Sequence, residues 1–223
     1  ILDTVRINIG GGRAELVASD INVEMRTSFN IDKNYSSQIC IPCDKLEKSV
    51  RDAPELSDIK IAFNDKDASA VISYSRRRIN LPTLPYDDFP ELSKPEVFAE
   101  FGISSEVLLN LLSLTSFATA KIDVRYYLNG VFLKIDGDTI SCASTDGHRL
   151  AFASHKGDSK RPNGVTSCII PNDAIAQIRE VLMSADSASV LIASDRIGVA
   201  TDSIQMMAKT IDGKFPDIDK FLA

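Results

Sequence analysis

The chain has 223 residues, 44% of them hydrophobic and 25% charged, with a net charge of −6. That composition suits an ordinary globular protein of about two domains, and it excludes disordered, collagen-like and disulfide-scaffold classes. No apolar run approaches the ~18 residues of a membrane span and no signal-peptide pattern opens the chain, so a cytoplasmic protein is expected. The acidic balance argues against coating nucleic acid through net charge, but permits a basic surface on one side.

Gly10-Gly11-Gly12 reads as a hairpin turn, because neither Gly-Lys-Ser/Thr nor a helix follows as a phosphate loop requires. An alternating apolar stretch leads into Ala18-Ser19-Asp20. Cys40-Ile41-Pro42-Cys43 has the spacing of a redox dithiol or half a zinc site, at the junction of a strand and a helix. The other reading is a pair of packed structural cysteines, since Cys142 and Cys168 lack a matching spacing. Asn64 to Asp67 is a turn without the Gly and Glu of a calcium loop. Arg76-Arg77-Arg78 leads into the alternating Ile79-Asn80-Leu81-Pro82. Those charges either guard an exposed sheet edge or mark one that pairs with a chosen partner, through main-chain bonds plus Ile79 and Leu81.

Phe98 to Phe101 alternates like a strand, and Ile103 to Ala120 has helical spacing at Val107, Leu108, Leu111, Leu112 and Leu114, with Ser104 or Ser105 as N-cap. Strand-like runs follow at Val131 to Ile135, Ile140 to Ala143, Val190 to Ala193, Ile197 to Ala200 and Ile204 to Lys209. A second helix is expected over Asp173 to Ser184, entered through Pro171. His155 reads as part of a polar loop.

Three ordered landmarks recur. Asp20 and Asp146 are 126 residues apart, Pro42 and Pro171 are 129 apart, and Phe89-Pro90 and Phe215-Pro216 are 126 apart. A common spacing over three landmarks indicates an internal duplication. The expected units are residues 1–96 and 97–214, with 215–223 opening a connection onward. Each is an α+β repeat of antiparallel sheet with two helices. Because the second copy begins near Val97, the first is expected to lack about 30 opening residues.

Asp123-Val124-Arg125-Tyr126-Tyr127-Leu128-Asn129-Gly130 and Thr145-Asp146-Gly147-His148-Arg149-Leu150 form the richest polar and aromatic constellation. Asp146 and His148 lack a nucleophile at a hydrolase-type turn, so no catalytic residue is assigned. Leu128, Leu150 and Pro216 offer apolar surface, Arg125 and His148 offer donors, and Gly147 permits close approach of a peptide backbone. The plainer reading is a polar turn that joins two strands.

These two segments, with Ile211-Asp212-Gly213-Lys214-Phe215-Pro216-Asp217, resemble the signature segments of the bacterial sliding clamp family, the beta subunit of DNA polymerase III. The resemblance runs the length of the chain. It implies tandem DNA-clamp repeats whose helices line the DNA side, three per chain, with two chains closing head to tail as a homodimer ring around duplex DNA. It implies no cofactor, no metal and no active site, since polymerase activity belongs to the partners. The polymerase III catalytic subunit, clamp loader and repair polymerases would dock short linear motifs on Arg125, Tyr127, Leu128, Thr145, Gly147, His148, Arg149, Leu150 and Pro216, with Phe221 a weaker match. Arg76, Arg78, Ile79 and Leu81 would form the dimer edge. Arg179, Lys45, Lys48 and Arg51 would face the DNA, bound without regard to sequence. The resemblance also implies that a third repeat is lacking, which would weaken peptide binding and leave the ring open. A thiol-disulfide protein using Cys40 and Cys43 is the alternative.

Overall fold

A computed structural model of the chain describes residues 3–32, 36–64, 68–90, 95–157, 164–218 and 220. Its contacts divide the chain into two compact units, Ile1–Leu92 and Ser93–Ala223.

In the first unit, β1 (Thr4–Gly10), β2 (Arg13–Ser19), β3 (Val23–Asn30) and β4 (Ser37–Pro42) form an antiparallel sheet in the order β4-β1-β2-β3. The β1–β2 turn needs two left-handed residues, and Gly11 and Gly12 supply them at φ 59° and 75°. Helix α1 (Cys43–Arg51) follows, then β5 (Lys60–Asn64), β6 (Ser69–Tyr74) and β7 (Arg77–Pro82) in the order β5-β6-β7. Ile7, Ile39, Ile41, Leu46, Ile72 and Leu81 meet in one buried core between sheets and helix.

The second unit opens with β8 (Val97–Ser104) and α2 (Ser105–Thr115), and then repeats the scheme. Its strands β9 (Gly130–Asp136), β10 (Thr139–Thr145), β11 (Leu150–Lys156) and β12 (Val165–Pro171) lie in the order β11-β10-β9-β12. After α3 (Asn172–Met183), β13 (Ser187–Ala193), β14 (Arg196–Ala200) and β15 (Ile204–Lys209) pair in the order β15-β14-β13-β8. Leu108 and Leu112 of α2, Ile178 and Leu182 of α3, and Leu133, Ile140 and Ile192 of the sheets are all fully buried. No helix among the described residues is long and apolar enough to cross a membrane.

The duplication extends to single hydrogen bonds. Cys43 N donates to Asp3 O at 2.8 Å, as Asn172 N does to Asn129 O at 3.2 Å. Leu84 N donates to Cys40 O at 2.9 Å, and Ile211 N to Ile169 O at 2.9 Å. Thr83 N donates to Ala68 O at 2.8 Å, and Thr210 N to Asp195 O at 2.9 Å. Among the described residues, β8 and α2 have no counterpart in the first unit.

Four expectations need correction. His155 lies in β11, where it pairs with Ile140. That strand ends its sheet and is largely solvated, so its polar composition mimicked a loop. The helix expected to reach Ala120 stops at Thr115 and gives way to a 3-10 turn at Ser116–Ala118, leaving Leu114 58% exposed. Arg76 sits in the turn before β7. Ile79 and Leu81 pair with the buried Ile72 and Ala70 and face their own unit's core, so only main chain and residues such as Arg78 and Asn80 are offered outward.

Candidate functional site

The Thr145–Leu150 turn joins β10 to β11 and builds itself from its own side chains. The Asp146 carboxylate accepts from His148 N at 2.9 Å and Arg149 N at 3.1 Å, and Thr145 Oγ1 accepts from Gly147 N at 3.0 Å. Thr145 Oγ1 also donates to Arg149 O at 2.7 Å. These bonds, led by the one from His148 N, hold the Asp146 carboxyl below the usual carboxylate range. Gly147 takes φ +90°. Arg149 is tied back by Asp146 at 3.1 Å and by Phe117 O at 2.9 Å, with its guanidinium 5.8 Å from the Phe117 ring centre.

Opposite this turn lies the loop Lys121–Leu128. Asp123 accepts from Arg125 N at 2.8 Å, Nε at 3.0 Å and Nη2 at 2.8 Å, so the side-chain bonds from Arg125 bring its carboxyl down to about 2. The guanidinium lies over Gly147: a Cβ there would stand 3.0 Å from Arg125 Nη1. A side chain at Gly147 would therefore push the exposed guanidinium off the turn, in addition to carrying the strain of a positive φ.

The floor is apolar. Leu128, at 2% exposure, shares a buried cluster with Phe215 and Ile218, against which Tyr127, Phe132 and Ile211 pack. Phe132 and Phe215 stack with centroids 4.9 Å apart and planes 6° apart, which fixes the backbone carrying the half-buried Pro216. Gly213 lets the same segment pass Tyr127, whose Cβ would be 3.1 Å from a side chain at that position. Leu150, 38% exposed, opens β11 directly opposite Thr145. A cleft of about 510 Å³ between the loop and the turn is lined by Phe117, Ala120, Ile122, Asp123, Arg125, His148 and Arg149, and not by Leu128, Leu150 or Pro216.

The nine expected binding residues from Arg125 to Pro216 all lie within the second unit, in the turn, in the facing loop or next to Phe215, and three of them, Arg125, His148 and Arg149, line the cleft. Phe221 lies outside the described residues, as do Asp65 to Asp67 of the expected turn. Asp123, Asn129, Phe132 and Gly213 were not singled out by sequence reasoning. Asp123, Asn129 and Gly213 stood inside quoted segments without a role of their own, and Phe132 only inside a strand-like run.

The remaining candidates are dispersed. Lys45, Lys48 and Arg51 are exposed along one side of α1, with Arg51 paired to Glu47, whereas α3 offers Arg179 and α2 has neither Lys nor Arg. Burial pushes the Cys40 thiol up despite nearby Arg6, and burial with Glu47, Asp44 and Asp3 pushes Cys43 up. That is the opposite of an activated redox pair. Burial raises Cys142 as well, and Cys168 to about 12. Among the described residues no group of three or more His, Cys, Asp or Glu is placed to hold a metal ion.

Fold and surface together define a tandem α+β repeat protein in which one copy alone carries the cationic, glycine-bearing turn. Residues 102–217 match the profile of the DNA polymerase III beta subunit central domain, and residues 1–93 that of its N-terminal domain. The chain belongs to the DNA polymerase III beta subunit family. It is 30% identical over 222 residues to the beta sliding clamp of Caulobacter vibrioides, an overlap of 97% of this chain and 59% of that one. The crystal structure of the DNA polymerase III subunit beta from Pseudomonas aeruginosa superposes with a TM-score of 0.93 at 30% identity, covering 100% of this chain and 61% of that one. A Pseudomonas aeruginosa sliding clamp structure bound to griselimycin gives 0.92 at 29% identity, covering 100% and 60%. The chain therefore spans about 60% of the length of the relatives it matches.

Proposed function

We propose that this chain serves as a sliding clamp, the processivity factor of a bacterial replicative polymerase in the cytoplasm, with residues 1–96 and 97–214 as its first two clamp domains and 215–223 leading onward. The observation that carries the reading is the second unit's turn. A glycine-bearing loop flanked by Arg125, His148 and Arg149 faces a cleft whose wall includes Ala120, a member of the buried cluster of Leu128 and Phe215. Apolar surface at Phe117 and Leu150, backed by the buried Leu128 cluster and rimmed by donors, suits a short linear motif whose anchor side chains bury there while its backbone meets the turn.

The mechanism is topological. Partners that perform nucleotidyl transfer, the polymerase III catalytic subunit and repair polymerases, dock here together with the clamp loader, while the protein itself performs no chemistry. A homodimeric ring would hold duplex DNA by enclosure, joined through the main chain of β7 with Arg78 facing outward. Contacts from Lys45, Lys48, Arg51 and Arg179 would be few and made to phosphates, which permits sliding. Four such residues from each of two chains would contribute a slope of at most roughly −7.2 in log K against log salt to the DNA binding of the ring.

The test is titration of a labelled motif peptide from a polymerase III catalytic subunit, at fixed salt, repeated with Leu128→Ala and His148→Ala. Saturable binding that both changes weaken supports the site. Binding that neither change affects overturns it. Labelled griselimycin, the ligand of the Pseudomonas aeruginosa relative, serves as a second probe and should compete with the peptide.

A further inference from the structure

We infer that Asn129 is the positioning residue of the proposed peptide site: its amide clasps the backbone of Asp123, and Asp123 in turn holds the Arg125 guanidinium over Gly147. This inference rests on the site reading given above. Arg125 is exposed, and a long side chain with many rotamers loses freedom on binding unless something has already ordered it. Two bonds that the guanidinium donates to the Asp123 carboxylate, with a third from Arg125 N, supply that order. A carboxylate on a mobile loop would supply little, because both partners would swing together.

Asn129 removes that freedom. Its Oδ1 accepts from Asp123 N at 3.0 Å, and its Nδ2 donates to Asp123 O at 3.1 Å, so one side chain grips Asp123 on both sides. Asn129 is itself held, its N donating to Tyr126 O at 3.0 Å and its O accepting from Asn172 N at 3.2 Å at the start of α3. The loop base is closed by Ala120 N to Leu128 O at 3.0 Å and by Asn172 Nδ2 to Ala120 O at 2.7 Å. A continuous set of bonds thus runs from the start of α3 through Asn129 and Asp123 to the guanidinium on the turn. The first repeat has Asp3 at the position of Asn129.

The test combines two readouts on the full chain. In the first, the Asp123 carboxyl is titrated by NMR. Its midpoint near 2 should move up toward ~3.9 in Asn129→Ala if the clasp sets the Arg125 geometry. In the second, affinity for the labelled polymerase peptide should fall about three- to tenfold in Asn129→Ala, and by a similar factor in Asp123→Asn. In an Arg125→Ala background, Asn129→Ala should cost no further affinity, although its effect on Tm persists. An unmoved midpoint, unchanged affinity, or an equal loss with and without Arg125 would overturn the relay. Loss of affinity in Leu128→Ala with none in Asn129→Ala would leave the site standing and the relay refuted. Binding that ignores Leu128→Ala as well would remove the site reading and the relay with it. Should Asn129→Ala fail to fold, Asp123→Asn alone carries the comparison.

Discussion

The turns after β2 and β10 are the same object built twice. Asp20 accepts from Asn22 N at 2.9 Å and Val23 N at 2.7 Å, as Asp146 does from His148 N and Arg149 N, and Ile21 N donates to Ser19 Oγ at 3.2 Å where Gly147 N donates to Thr145 Oγ1. Ile21 even holds a left-handed backbone, φ 78°, against +90° at Gly147. Backbone geometry therefore does not by itself select glycine in the second copy. What selects it is Arg125, which occupies the space a side chain would fill. One scaffold thus carries Ile21-Asn22-Val23, without a cation, in one unit and Gly147-His148-Arg149, a cationic turn with an exposed backbone, in the other.

The segments that close each unit differ in the same way. Phe89 packs over Arg6, 5.0 Å from ring centre to guanidinium, on a strand whose counterpart carries Phe132, so the second copy has an aromatic stack where the first has a cation over a ring. The second arrangement packs Phe215 into the buried cluster of Leu128. Phe215→Ala should therefore have the largest effect, about 3–5 kcal/mol of stability together with loss of peptide binding, read by denaturant titration and by the binding assay. Retained binding in that variant would separate Pro216 from the site.

Next in size are paired changes in the two turns. Gly147→Ala adds a left-handed side chain against Arg125 and should cost about 1–2 kcal/mol, with weakened peptide binding. Ile21→Gly at the matching place should lie within about 1 kcal/mol of neutral and leave peptide binding alone. Equal effects at both positions would show that the backbone angle, and not Arg125, explains the glycine.

The smallest effect is expected from pH. Asp123 has a folded value depressed to about 2, below the ~3.9 of a free aspartate. Its link to Arg125 is therefore at full strength above ~3.9 and is lost as pH falls through about 2. Peptide affinity should show no step from Asp123 between pH 8 and 5. A step tied to Asp123 in that range would contradict the geometry.

Much of the fold was legible because duplication repeats the residues that punctuate it: the Asp of each turn, the Pro entering α1 and α3, and the Phe-Pro closing each unit. The solvated strand β11 was not, since half of an exposed end strand reads as loop. Nor was the inward orientation of Leu81, because alternation fixes which residues share a face but not which face is covered. The residues of the proposed site could be named from the sequence as a list. Its construction was not, because the Arg125–Gly147 approach, the Asn129 clasp and the Phe132–Phe215 stack join residues through the fold and have no fixed spacing to reveal them.

The central claim is that decoration of a shared turn, and not the turn itself, makes the site. The most direct measurement replaces Gly147-His148-Arg149 by the first repeat's Ile-Asn-Val and compares labelled-peptide affinity and Tm with those of the unaltered chain. The account predicts a folded protein, because the same three residues already close this turn in the first unit, and loss of saturable binding. A variant that folds and binds the peptide as the original does would contradict it.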